Sequence, residues 1–277
     1  MPSLALPASL DEALDALLAD ADARPMAGGV GLLLRAAFGE RLPERVVAVG
    51  RLPELRTIEA AGDGIRVGAA VTLAELARSP LVRERFPILA AAAGMAANPG
   101  VRTTATIGGN LLDRPGGSDL VAAALALAAE AIWAGPGAGP TRSPLRASLE
   151  PATDDARPRL LVAIVVEAAP DGWGFERLTT RGTSDRAAAT VAVTTAAAGG
   201  EPAVAAWATS IAERPIRLAR SARAVLDEAS DEALRRAVDD DLGAIPLADD
   251  LRASGAYRRR VLPVLLRRAV AAAGRGR

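Results

Sequence analysis

Cysteine, histidine and lysine are all missing from this 277-residue chain, and each absence removes a class of chemistry. Without Cys or His there is no zinc site of the usual kind, no iron–sulfur cluster held by this chain, and no Ser–His or Cys–His nucleophile. Without Lys there is no Schiff base and no phosphate loop ending in GK[ST]. All 33 basic side chains are arginine, which stays protonated and makes a poor general base. Aromatic residues make up only 3%, so the core must be built from Ala, Val, Leu and Ile. Net charge is also lacking, with 33 acidic residues against 33 basic ones. A nucleic-acid binder or a membrane-surface protein needs a basic excess, so neither is expected. No apolar run reaches the ~20 residues of a membrane span. The opening MPSLALPASLDEALD lacks the features of a signal peptide, which makes a soluble, cytoplasmic protein the expectation. Chemistry must come from carboxylates, the backbone or a bound cofactor; no catalytic side chain and no metal ligand stands out.

The length suggests about two domains. Ser9-Leu-Asp-Glu12 and Thr72-Leu-Ala-Glu75 read as capping boxes that open helices, the second ended by Pro80. Strands are expected at Arg24–Ala27, Val46–Val49, Ile65–Ala70 after a Gly62-Asp63-Gly64 turn, Leu160–Val166, Thr190–Ala198 and Val204–Ala208. Helices are expected at Ile88–Ala97, Asp119–Glu130, Arg217–Glu228, Asp231–Val238 and Tyr257–Ala273. The stretch Gly135–Pro158 reads as a loop or linker. Strands and helices mix without strict βαβ alternation, which predicts an α+β fold.

Two segments carry the candidate chemistry: Ala27-Gly28-Gly29-Val30-Gly31-Leu32 and Thr106-Ile107-Gly108-Gly109-Asn110-Leu111. Adjacent glycines permit φ > 0 and let successive N–H groups converge into an anion nest. Each N–H bonded to a charged phosphate contributes roughly 1.5–3 kcal/mol, so two nests could hold a pyrophosphate without a cation. Glycine pairs also occur at Gly116-Gly117 and Gly199-Gly200, and on spacing alone an ordinary turn is the commoner reading of any of the four pairs.

The strings VRTTATIGGNL, AGGVGLLL and IRVGAAVTLAEL, followed by FERLTTRGTSDRAAATVAV and YRRRVLPVLLRRAV, resemble the FAD-binding medium subunit of the molybdenum hydroxylases. This family takes in the flavin subunits of carbon monoxide dehydrogenase and xanthine dehydrogenase. The resemblance covers nearly the whole chain. It implies an FAD-binding domain over 1–168, with subdomains of about 1–55 and 56–168, and a C-terminal α+β domain over 169–277. It implies FAD as cofactor, its pyrophosphate gripped by Ala27, Gly28, Gly29, Val30, Gly31 and Leu32 and by Thr106, Ile107, Gly108, Gly109 and Asn110. By the same resemblance Asp119 binds the ribose or adenine side, Leu161 lies against the isoalloxazine, and Arg177 stands near the flavin's pyrimidine edge. The implied partners are a [2Fe–2S] small subunit and a molybdopterin large subunit, with electrons passing through the flavin to an external acceptor. The sequence departs from the family pattern at Val30-Gly31, where a polar pair is usual, at Leu112–Gly117, and at Arg159. Two other readings stay open: a flavin-free scaffold, and a self-contained FAD oxidoreductase.

Overall fold

The computed structural model describes residues 3–150, 159–182, 185–198 and 201–275. By contacts the chain divides into two units, neither continuous in sequence. The first comprises Met1–Ser79, Pro99–Asp113 and Ala129–Ala168; the second comprises Pro80–Asn98, Arg114–Ala128 and Ala169–Arg277.

The first unit holds two sheets. β1 (Ser3–Ala5), β2 (Arg24–Met26) and β3 (Arg45–Ala48) form a parallel sheet ordered β1-β3-β2. Between them run α1 (Leu10–Leu18) and α2 (Val30–Ala37). β4 (Ile58–Ala61) and β5 (Gly64–Gly68) follow, joined by a two-residue turn in which Gly62 has φ +59. α3 (Leu73–Arg78) comes next. Its capping box is complete, since Glu75 N–H donates to Thr72 Oγ1 (3.2 Å) and Thr72 N–H to Glu75 Oε2 (2.8 Å). The box at α1 is half made: Ser9 Oγ accepts from Glu12 N–H, but Glu12 reaches back to Ala8 N–H rather than to Ser9.

The second unit begins with α4 (Pro80–Arg85) and α5 (Pro87–Met95). Pro80 thus ends one helix and opens the next, because proline at a first helical position loses no hydrogen bond. The chain returns to the first unit through α6 (Pro99–Arg102) and α7 (Ile107–Asp113), then gives α8 (Asp119–Ala126) to the second. The helix expected to run to Glu130 stops at Ala126, broken by Ala128 at φ +52, and Glu130 opens a strand instead. β6 (Glu130–Gly135), β7 (Ala138–Pro144), α9 (Leu145–Ser148) and β8 (Leu160–Val166) complete the first unit, its larger sheet ordered β4-β5-β8-β6-β7 and antiparallel throughout. The expected linker over 135–158 is therefore structured up to Ser148, and 151–158 lie outside the described residues. Pro140 and Pro144 sit in β7, an edge strand, a position where proline is tolerated.

The rest of the second unit is β9 (Gly172–Leu178), β10 (Ala189–Ala198), β11 (Glu201–Thr209), β12 (Ile216–Arg217), α10 (Ala219–Leu226), α11 (Asp231–Leu242) and α12 (Gly255–Gly274). The strands form one antiparallel sheet ordered β12-β11-β10-β9. Its core is aliphatic: Val191, Val193, Ile211, Leu234, Leu262 and Leu266 are fully or almost fully buried. The Gly199-Gly200 pair lies outside the described residues. Among the described residues no helix is long and apolar enough to cross a membrane.

Candidate cofactor-binding site

The first glycine segment links β2 to α2. Gly29 adopts φ +71 and turns the chain into the helix, with no side chain capping the helix start. The first backbone bond along α2 runs from Leu33 N–H to Gly29 O at 2.9 Å. The N–H groups of Val30, Gly31 and Leu32 precede it and have no intrahelical acceptor, as at any helix start. Three donors and the positive end of the helix dipole converge there, a ready anion site.

The second segment is built differently. Ile107, Gly108, Gly109 and Asn110 lie in the first turn of α7, and neither glycine has positive φ. Ile107 N–H donates to Val71 O (2.9 Å) and Gly108 N–H to Ala69 O (2.8 Å), while Asn110 N–H donates to Thr106 O (2.9 Å). Gly109 N–H points to Thr106 Oγ1 at 3.3 Å. The expected nest at this pair is therefore absent: the donors are spent on the fold, and the glycines serve close approach. A Cβ on Gly108 would lie 2.9 Å from Ala69 O, so that glycine is required by packing. Gly109 is exposed, and a Cβ there would meet only Thr106 Oγ1, at 3.2 Å. It offers bare backbone to anything that approaches.

The fold brings these segments together although about 80 residues separate them. A Cβ at Gly28 would stand 1.9 Å from the Thr104 carbonyl oxygen, so the first loop lies backbone against backbone on the residues leading into α7. A Cβ at Gly31 would fall 2.4–2.8 Å from the Asp113 carboxylate at the end of α7. That carboxylate is ion-paired with Arg35 of α2, whose Nε also lies 3.1 Å from Glu40 Oε2. Two departures from the family pattern, Gly31 and Asp113, thus occupy one place: the carboxylate fills the space a side chain at 31 would take. Sequence reading missed Thr104, Arg35 and the Asp113 pairing, for no local pattern links residues 78 positions apart.

Leu161 is buried in β8, on the strand face opposite Leu160 and Val162, which pack into the core beneath α1 and β3. Asp119 and Arg177 belong to the second unit, where they meet directly. Arg177 Nε donates to Asp119 Oδ2 at 2.7 Å, and the two side chains are only 6–7% exposed. Thr190 Oγ1 donates to the other carboxylate oxygen, and Arg177 also donates to the Asp185 carbonyl. The resemblance assigns this pair to the adenine side and the pyrimidine edge of one cofactor, yet they stand at a single point in contact with each other.

The residues around α2 suit a dinucleotide pyrophosphate: three helix-start donors and a left-handed glycine, on a loop seated against the residues leading into α7. Known proteins point the same way. Residues 3–166 match the family described as the FAD binding domain in molybdopterin dehydrogenase. The carbon monoxide dehydrogenase medium chain of Hydrogenophaga pseudoflava is 30% identical over 274 residues, covering 96% of this chain and 95% of that one. The nicotine 6-hydroxylase medium subunit of Paenarthrobacter nicotinovorans is 29% identical over 287 residues, covering 98% and 96%. Among solved structures, the carbon monoxide dehydrogenase of Hydrogenophaga pseudoflava superposes with a TM-score of 0.88 at 31% identity, covering 99% of this chain and 98% of that one. The helix-start donors, the paired glycine segments and this full-length likeness have one origin: the chain belongs to the family of FAD-binding subunits of molybdopterin dehydrogenases.

Proposed function

We propose that this chain is the flavoprotein subunit of a molybdenum hydroxylase, holding FAD and relaying electrons from a [2Fe–2S] small subunit to an external acceptor. The observation that carries the reading is the seating of Gly28 on the Thr104 carbonyl, which holds the first glycine loop against the residues leading into α7. In this reading the N–H groups of Val30, Gly31 and Leu32 bind the pyrophosphate, Ala27 to Gly29 shape the turn, and Thr106 to Asn110 form the opposing wall. Leu161 supplies an apolar contact for the ring system. The Asp119–Arg177 pair fixes a guanidinium and a carboxylate in one orientation from which they position the cofactor. Bound flavin supplies the redox chemistry; the protein binds, orients and tunes it. The chain contains no cysteine to hold an iron–sulfur cluster, and the medium-chain names of its relatives support separate small and large subunits that carry the cluster and the molybdopterin.

One feature favours the flavin-free scaffold: an anion, Asp113, already stands at the start of α2. Arg35 offsets its charge, which keeps the flavin reading ahead. The deciding experiment is an absorption spectrum of the purified chain titrated with FAD, with circular dichroism as the fold control. Flavin bound near one equivalent, and lost in Gly109→Leu, is the expected result. Folded wild-type chain that binds no flavin at saturating FAD would select the scaffold.

A further inference from the structure

Burial does little to hold α2, the helix that carries the proposed pyrophosphate donors. It is eight residues long and none of them is buried. Leu33, Leu34 and Phe38 are each more than half exposed. The start has no side-chain cap, and the element α2 touches most is α7. Helices shorter than about 12–15 residues are marginal in water unless tertiary packing supports them. The N–H groups of Val30, Gly31 and Leu32 therefore stand on a helix that needs an anchor beyond its own hydrogen bonds.

A pair of charges supplies one. Gly31 and Arg35 are four residues apart and so share one face of α2. The Asp113 carboxylate, at the end of α7, lies on this face: it occupies the space a Cβ on Gly31 would need and is ion-paired with Arg35 Nη1. Asp113 thus stands beside the middle donor of the first turn, where a negative charge suits the helix dipole. Arg35 belongs to the last turn, where a positive charge suits it. Its Nε also reaches Glu40 Oε2 at 3.1 Å, so the same guanidinium ties down the chain leaving the helix. Glycine at 31 lets the carboxylate come this close; a side chain there would push it away from Arg35.

We infer that Arg35 and Asp113 are positioning residues: their ion pair clamps α2 to α7 and so holds the first-turn N–H groups where the pyrophosphate is proposed to bind. The inference rests on the flavin reading for its ligand, while the clamp itself belongs to the cofactor-free chain as well. Two single variants separate a clamp from a simple field. A carboxylate beside the donors repels a pyrophosphate, and a guanidinium attracts one. Acting through charge alone, the pair would give tighter FAD binding in Asp113→Asn and weaker binding in Arg35→Gln. Acting as a clamp, it gives weaker binding in both, because either change releases α2.

The test measures FAD Kd by flavin fluorescence, and backbone hydrogen exchange in the cofactor-free full chain, for wild type, both single variants and the double variant. Each single change is expected to raise the Kd, and the exchange rate of amides 33–38, by about three- to five-fold, as suits a partly exposed ion pair. The double variant should be no more than about two-fold worse than either single, since its second change removes a partner already lost. Raising ionic strength from about 0.01 M to about 1 M should erase most of the difference between wild type and variants. Tighter FAD binding by Asp113→Asn, or α2 exchange unchanged in both single variants, overturns the inference. A folded wild-type chain that binds no FAD sinks the flavin reading instead, and the exchange of α2 then decides the clamp by itself.

Discussion

Gly108 and Gly109 are neighbours in one helical turn, yet the structure places opposite demands on them. An alanine at 108 would bring its Cβ to 2.9 Å from Ala69 O and 3.0 Å from Ala69 Cβ, against the very carbonyl that Gly108 N–H uses. Overpacking of this kind costs about 1–3 kcal/mol. The gain in helix propensity on leaving glycine, at most about 1 kcal/mol, offsets only part of it. A net loss of about 1–2 kcal/mol lowers Tm by roughly 2–8 °C in a chain of this size. At Gly109 a Cβ meets only Thr106 Oγ1, at 3.2 Å, so the hydroxyl must give by a few tenths of an ångström; that offsets the propensity gain of leucine, and Tm is expected to stay within about 2 °C of wild type. The same leucine covers the backbone where the pyrophosphate is proposed to lie. Loss of one phosphate bond, worth roughly 1.5–3 kcal/mol, raises the FAD Kd about ten- to hundred-fold, and loss of two raises it further. Thermal melts and flavin fluorescence titrations of the two variants read both effects. A folded Gly109→Leu chain whose FAD Kd stays within about three-fold of wild type would refute the proposed site.

Three further outcomes are expected. Gly31→Ala drives a methyl group into the Asp113 carboxylate, so Gly31→Ala and Asp113→Ala together should cost about 1 kcal/mol less than the sum of the single changes in urea melts; strict additivity would show that the contact is not felt. Asp119→Ala removes the carboxylate bonded to a buried guanidinium that keeps its bond to the Asp185 carbonyl, and should lower unfolding free energy by about 3 kcal/mol even without FAD. A variant affected only when flavin is present would make the pair a ligand contact rather than a structural one. For Asp250, hydrogen bonds from Arg252 and then Arg258 hold the carboxyl well below the usual carboxylate range. A depressed folded pKa stabilises the protein above the unfolded value of about 3.9, and that contribution fades as pH falls further. The Tm gap between wild type and Asp250→Asn should therefore narrow below about pH 4, and a gap constant from pH 7 to pH 3 would refute the assignment.

What could be read from the sequence was local. Thr72 and Glu75 reveal a helix start because both partners sit within one turn, and Leu160–Val166 reveals a buried strand because apolar residues, four of them β-branched, follow one another without a break. The two glycine segments were legible as backbone devices, but not which device each one is. Gly29 does turn left-handed; Gly108 and Gly109 do not, since their conformation is set by Val71 and Ala69, nearly 40 residues upstream. The Gly- and Pro-rich stretch after Gly135 read as a linker because edge-strand prolines look the same as loop prolines until the neighbouring strand is known. Arg258 gave no signal at all, because nothing distinguishes it from Arg259 and Arg260 until burial singles it out.

The interleaving of the two units also governs how the chain can be assembled on the ribosome. The polypeptide passes from one unit to the other five times. β8 lies between β5 and β6, so the larger sheet of the first unit cannot close until residue 166 has been made. α5 and α8 emerge much earlier, yet they pack against β9, β10 and β11. Their apolar faces, Leu89 and Ala93 on one and almost all of the other, must wait for the last third of the chain. Late, long-range closure of this kind slows folding and leaves sticky helices exposed in the interim. A fragment ending near residue 168 would keep the whole FAD-binding match and still carry those two orphaned helices, so it should aggregate where the full chain does not.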